Sequence, residues 1–185
     1  MEERELIHRL LQKDEHAFKW LVETYRNKVY QTVLNILQDT EDAEDSAQEV
    51  FIQVYESISS FKQQSSLSTW IYRIAVRKAL DKLRKRKTRQ RLTKILPWWM
   101  PEENKSASGD FYHPGVLLEH KQKTAILFRA INALPEKQKI AITLIKIQNM
   151  SYEEASEIMQ QSIKAVESLI SRAKQNLQKQ LEKSI

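Results

Sequence analysis

Cysteine is absent from this sequence. That excludes a disulfide framework and any Cys-ligated metal centre, and it fits a reducing compartment. Glycine occurs twice and proline four times in 185 residues. The turns of a multi-stranded sheet need more of both, so the chain is expected to be all-α. No apolar run approaches the roughly 20 residues that cross a bilayer. The first residues, MEERELIHRLL, are charged and hold no signal-peptide core. The expected class is therefore a soluble, cytoplasmic, helical protein. Chemistry-bearing patterns are missing as well. There is no glycine-rich phosphate loop, no H-x-x-x-H, and no set of acids at metal spacing. His8, His16, His113 and His120 lie far apart, and the serine-rich pieces have no base beside them. No catalytic residue, metal or cofactor is expected, and so no enzyme.

What is present is a concentration of positive charge. From Ile71 to Ile95 eleven Lys and Arg face one acid, Asp81, a local net of +10 in a chain of net +6. Everything else is net acidic. Ile71, Ile74, Ala75, Ala79 and Leu83 recur three or four apart, which is one face of a helix. Arg73, Arg77, Lys78, Lys82, Arg84 and Lys85 fall mostly on the other. A packed helix with a dense basic face suits a phosphate backbone. Phe61, Trp70 and Tyr72 nearby supply rings on which bases can stack.

The remaining chain reads as further helices. Residues 2–12 are amphipathic through Leu6, Ile7, Leu10 and Leu11. Asp14 is placed to cap a helix from Glu15 to Leu37. Asp39 or Thr40 then caps a helix from Glu41 to Ile58, with Ala43, Ala47, Val50, Phe51, Val54 and Ile58 as its buried stripe. Seven acids and no basic residue lie between Gln38 and Glu56. Acids in the first turn suit the helix dipole, but that does not cover Glu49, nor the shared ridge of Asp42, Asp45 and Glu49. The ridge is a solvated face, an internal counterweight to the basic segment, or a partner surface. Residues 59–68 read as a polar loop, with Ser68 capping the basic helix. Residues 96–118 hold three of the prolines and both glycines and read as a linker. Trp98 and Trp99 inside it are out of place in a free linker.

A second helical set follows: Glu119 to Leu134, Glu136 to Ile147 after Pro135, Tyr152 to Met159 behind the capping box Ser151/Glu154, and a last helix capped by Ser162. The final pair has helix-turn-helix geometry. Val166, Ile170, Ala173 and Leu177 point inward. Lys164, Glu167, Ser168, Ser171 and Arg172 are left for DNA.

In combination and order, DAEDSAQEVF, then STWIYRIA followed by DKLR, then LPEKQKIAITL and AVESLISRAK resemble the extracytoplasmic-function sigma factors, the two-domain minimal form of bacterial sigma factor. The resemblance covers nearly everything outside 96–118. It implies two small helical domains joined by a flexible linker. Residues 1–95 would bind core RNA polymerase and the promoter −10 element, and 119–185 would bind the −35 element. Asp42, Asp45, Gln48, Glu49 and Phe51 would dock on the β′ clamp helices, and the β flap would be a second polymerase contact. Phe61, Lys62, Ser68, Trp70, Tyr72, Arg73, Arg77, Lys78, Lys82 and Arg84 would engage the −10 DNA. The loop at 61–68 would hold one base flipped out of the stack. Lys164, Glu167, Ser168, Ser171 and Arg172 would meet the −35 duplex, and an anti-sigma factor is an expected partner. Three departures bear on promoter sequence: Arg77 stands where Asn is usual, Gln160-Gln161-Ser162 replaces the frequent Gly and Pro, and Glu167 and Leu169 stand where Lys or Arg is common. Two other classes compete. A helix-turn-helix repressor would be expected to dimerise, and no a/d seam is present for that. An adaptor with a basic tail would leave the acidic ridge and the terminal helix pair unrelated.

Overall fold

The computed structural model describes residues 2–93 and 121–182. The expected linker with Trp98 and Trp99, together with His113 and His120, lies outside the described residues. Among those described there are helices and no strand. They are α1 (Glu3–Leu11), α2 (Glu15–Leu37), α3 (Thr40–Ser57) with a 3-10 turn at Ile58–Ser60, α4 (Leu67–Thr93), α5 (Lys121–Asn132), α6 (Glu136–Ile142) running into a π-helical turn at Thr143–Ile147, α7 (Tyr152–Met159) and α8 (Ile163–Glu182).

Local chemistry sets most of the boundaries. Asp14 starts α2: its Oδ1 accepts the backbone N–H of His16 and Ala17 at 2.8 and 3.1 Å. Those hydrogen bonds, that of Ala17 foremost, and the adjacent Arg9 guanidinium hold the carboxyl below its usual range. The expected capping box is formed in full by Ser151 and Glu154. With almost no glycine in the chain, left-handed backbone falls to other residues: Lys13, Gln38, Gln63, Asn149 and Gln160 all have φ between 52° and 59°. Such a conformation costs a side-chain-bearing residue about 1–2 kcal/mol. At Gln38 the cost is offset by a capping hydrogen bond, from its N–H to the Leu34 carbonyl at 2.8 Å.

Two boundaries differ from expectation. The basic helix begins at Leu67, so Ser68 lies inside it; Ser66 is the cap, accepting the Thr69 N–H at 3.1 Å. The helix expected to continue to Ile147 changes its winding at Thr143, where the N–H of Gln148 reaches back five residues to the Thr143 carbonyl at 2.9 Å. Every residue from Gln138 to Ile145 is buried, because α6 lies against α8 and α2 and the π turn lies against α2 and α7. A regular α-helix against one neighbour would turn some of them to solvent.

α2, α3 and α4 pack on one another, with α1 against α2. Leu21, Val29, Val33, Leu34, Val50, Val54, Leu67 and Ile71 are fully buried at their centre. The second unit closes around Leu144, Ala155, Ile158, Val166, Ile170 and Ala173. The two units also meet: α7 packs on α4, α6 and the π turn pack on α2, and the apolar cores are continuous. An ion pair from Lys87 of α4 to Glu136 of α6 crosses the junction.

Lys139 of α6 is buried beside that junction and donates to Asn132 Oδ1 at 2.8 Å. Burial pushes its ammonium down to about 8, with Lys87 adding to the effect and Glu136 opposing it. In the unfolded chain a lysine titrates near 10.4. Between these values the unfolded state holds the extra proton, so this group makes stability rise with pH from about 8 to about 10.4, by about 3 kcal/mol at most. Urea denaturation at pH 7, 8, 9 and 10 checks this. Lys139→Met is expected to be more stable than the parent at pH 7, with the difference shrinking across that window.

Candidate nucleic-acid interface

The basic helix divides into two rows. Lys78, Lys82 and Arg86 follow one another four residues apart on α4 and turn toward α3. Lys78 Nζ lies 3.2 Å from Glu49 Oε2, and Lys82 Nζ lies 2.9 Å from Asp42 Oδ1 and 3.7 Å from Asp45 Oδ2. Arg86 pairs with Asp39 at 3.0 Å and with Asp42, and also donates to the Leu37 carbonyl at 3.3 Å. The acidic ridge and the basic segment are thus counterweights to each other, one of the three meanings that the composition left open. Burial alone would raise the Asp42 carboxyl, but the Lys82 hydrogen bond and the Arg86 charge outweigh it and hold it low. The Lys82 ammonium is raised in turn, chiefly by its bond to Asp42.

The pairing is graded. Asp42 keeps only 20 % of its side chain exposed, whereas Asp45 and Glu49 keep 59 % and 54 %. Asp42 with Arg86 therefore staples α3 to α4, while Asp45, Gln48 and Glu49 still present an acidic stripe to solvent. Phe51 does not belong to that stripe: it is buried in the core. Its neighbour Ile52 is 57 % exposed and continues the stripe one turn on, followed by exposed Tyr55. Lys13 Nζ sits 4.2 Å from the Tyr55 ring centroid and donates to the Tyr55 carbonyl at 2.9 Å. Sequence reasoning missed Ile52, although it is the one large aliphatic residue of α3 out of phase with the buried stripe.

The second row of α4 looks outward. Arg77, Arg84 and Lys85 are exposed, and Arg84 pairs with the neighbouring Asp81 at 3.1 Å. Of the expected stacking rings, Phe61 is buried and backs Trp70, with centroids 5.1 Å apart. Trp70 is half-buried, and Lys62, which follows Phe61 in sequence, is exposed. Tyr72 is only 4 % exposed. Burial first, then the nearby Tyr25 and Glu154, push its phenol up to about 12. Arg73 is half-buried with a buried, unpartnered Nε. In this arrangement Phe61 and Tyr72 offer no free ring to a base; α7 packed on α4 and Tyr25 of α2 account for Tyr72. Ser68 is half-buried, its Oγ 2.9 Å from that of Ser66.

α8 bears out its expected faces. Val166, Ile170 and Ala173 are buried, Leu177 is partly so, and Lys164, Glu167, Ser168, Ser171 and Arg172 are all exposed. Ser162 caps the helix through the Ala165 N–H at 3.2 Å. Gln160 makes the turn by taking the left-handed conformation that a glycine often supplies. Arg172 donates to Ser168 Oγ at 2.9 Å, so these two side chains act as a unit and Glu167 stands apart. Among the described residues no cluster of three or more His, Cys, Asp or Glu is placed to hold a metal ion, and no helix is long and apolar enough to cross a membrane.

Comparison with known proteins places two family models on the chain: Sigma-70 region 2 on residues 21–89 and Sigma-70, region 4 on residues 124–177. The chain is 35 % identical over 180 residues to the ECF RNA polymerase sigma-E factor of Haemophilus influenzae, covering 96 % of this chain and 94 % of that one. It is 30 % identical over 182 residues to the RNA polymerase sigma-H factor of Pseudomonas aeruginosa, with 98 % and 94 % covered. Its fold is similar to that of the sigma factor RpoE from Bartonella quintana, solved in complex with the anti-sigma factor NepR. The TM-score is 0.70 at 22 % identity, over 89 % of this chain and 96 % of that one.

Proposed function

Since the chain belongs to the extracytoplasmic-function branch of the sigma-70 family, and so directs promoter-specific transcription initiation with RNA polymerase, we propose a division of labour along it. Residues 1–95 join core polymerase and take hold of the −10 element. Asp45, Gln48 and Glu49, extended by Ile52 and Tyr55, dock on the β′ clamp helices, which must then offer cations beside an apolar patch. Arg77, Arg84 and Lys85 take phosphates of the melted strand. Loop 61–66, with Lys62 and a Trp70 backed by Phe61, takes one extruded base; the unstacking cost of a few kcal/mol is offset by stacking and hydrogen bonds in the site. Tyr72 and Arg73 reach the strand only after α7 leaves α4. Residues 96–118 span polymerase, residues 119–185 meet the β flap, and α8 lies in the major groove of the −35 element. An anti-sigma factor, the kind of partner with which RpoE was solved, is a further binding partner. The observation that carries this proposal is the α8 face: five polar side chains exposed to solvent on a helix whose other side is buried.

Gel filtration with core polymerase, followed by binding to a duplex promoter fragment, tests it. The chain is expected to co-elute with core polymerase, and only the complex is expected to retard the fragment specifically. Specific retardation by the chain alone, without co-elution, would identify an autonomous repressor instead.

A further inference from the structure

The loop before α4 is anchored from an unexpected place. Glu3, in the first turn of α1, accepts the backbone N–H of Leu67 on its Oε1 at 2.9 Å, across 64 residues of sequence. Leu67 is the first residue of α4. The carboxylate therefore satisfies one of the orphan donors of that helix and meets its positive end. Ser66 Oγ takes the Thr69 N–H and sits 2.9 Å from both Thr69 Oγ1 and Ser68 Oγ. Together these bonds fix where the loop enters the helix. Between loop and α1 lies a hollow of about 520 Å³ lined by Glu2, Glu3, Arg4, Ile7, Gln63 and Ser65. Ile7 is buried and apolar, and Arg4 is exposed at the rim. A guanidinium plane with an amide beside it suits a nucleobase: the ring stacks on the Arg4 guanidinium and the Gln63 amide reads an edge. Two carboxylates in the same wall repel phosphate, so the backbone of the strand does not fit there.

We infer that α1 is the second wall of the strand-capture site, with Glu3 positioning the loop and Arg4 touching the extruded base. This rests on the proposal that loop 61–66 captures one base of the melted −10 strand. Holoenzyme reconstituted with core polymerase is mixed with promoter fragments carrying 2-aminopurine at each −10 position in turn. With the wild-type chain, one position is expected to give a fluorescence distinct from its melted neighbours. Glu3→Ala removes that distinct signal and lowers discrimination among the four bases at that position about fivefold or more, with −35 discrimination unchanged. Glu3→Gln keeps an oxygen acceptor and restores both. Arg4→Ala weakens discrimination at the same position, and melting curves verify that all three variants fold. If the wild type shows no distinct position, strand capture itself fails. If the wild type shows one and Glu3→Ala matches it, strand capture stands and the role of α1 is overturned.

Discussion

Core polymerase mixed with the Asp45→Lys, Glu49→Lys double variant elutes without it, whereas the wild-type chain co-elutes. That is the expected result if the exposed stripe of α3 docks on a basic surface. Each reversal replaces an attraction with a repulsion at the contact, and losing one partner of a buried interfacial charge pair costs about 2–5 kcal/mol. At about 1.4 kcal/mol per tenfold, binding falls by a factor of roughly 30 or more. Within the chain the same change releases Lys78 from Glu49 and loosens Lys82 from Asp45. Exposed pairs of this kind contribute about 0–1 kcal/mol, and Asp42 with Arg86 remains as the staple. The variant should therefore keep its helical circular dichroism and a cooperative melt. Ile52→Asp is expected to weaken co-elution in the same way, since it buries a charge where an apolar side chain now stands free. Co-elution of the folded double variant at the wild-type level would mean that this stripe faces water in the complex.

Transcription from a −35 library separates the two kinds of contact on α8. Glu167→Ala is expected to relax the preference at a single base pair, by roughly 1–3 kcal/mol, or about 5- to 150-fold. Glu167 has no attraction to phosphate, and a carboxylate in the major groove can accept from cytosine N4. Arg172→Ala is expected to lower transcription on many −35 variants nearly alike, since a phosphate contact positions the helix without reading sequence. Arg172 is held against Ser168, so Ser168→Ala should reproduce a weaker form of the Arg172→Ala pattern rather than a base-specific one. A Glu167→Ala profile with no single shifted position would place the reading of bases on other residues.

How much of this was legible in the sequence depends on the range of the interaction. The start of α2 follows from Asp14, a local signal. The capping box of α7 and the inward and outward faces of α8 follow in the same way. What was not legible depends on residues far apart in the chain. Glu3 caps a helix 64 residues away. Lys78 and Lys82 read as free cations on the outer face of α4 until α3 is packed beside them. Phe51, Phe61 and Tyr72 are aromatic, which fits a core as well as it fits a binding surface; only the neighbours decide, and they bury all three. The π turn at Thr143 is buried against α2 and α7, and no residue type there announces it. Ser66 and Ser68 are both competent caps, and the choice fell to Ser66 once Leu67, fully buried, entered the helix.

The central claim is that this chain selects where polymerase begins. Its direct measurement is transcription by core polymerase on genomic DNA fragments, with and without the chain, followed by sequencing of transcript 5′ ends. Addition of the chain is expected to produce discrete start sites preceded by shared −35 and −10 sequences, with the −35 consensus altered at one position by Glu167→Ala. Start sites that stay as scattered as those of core polymerase alone would contradict the account.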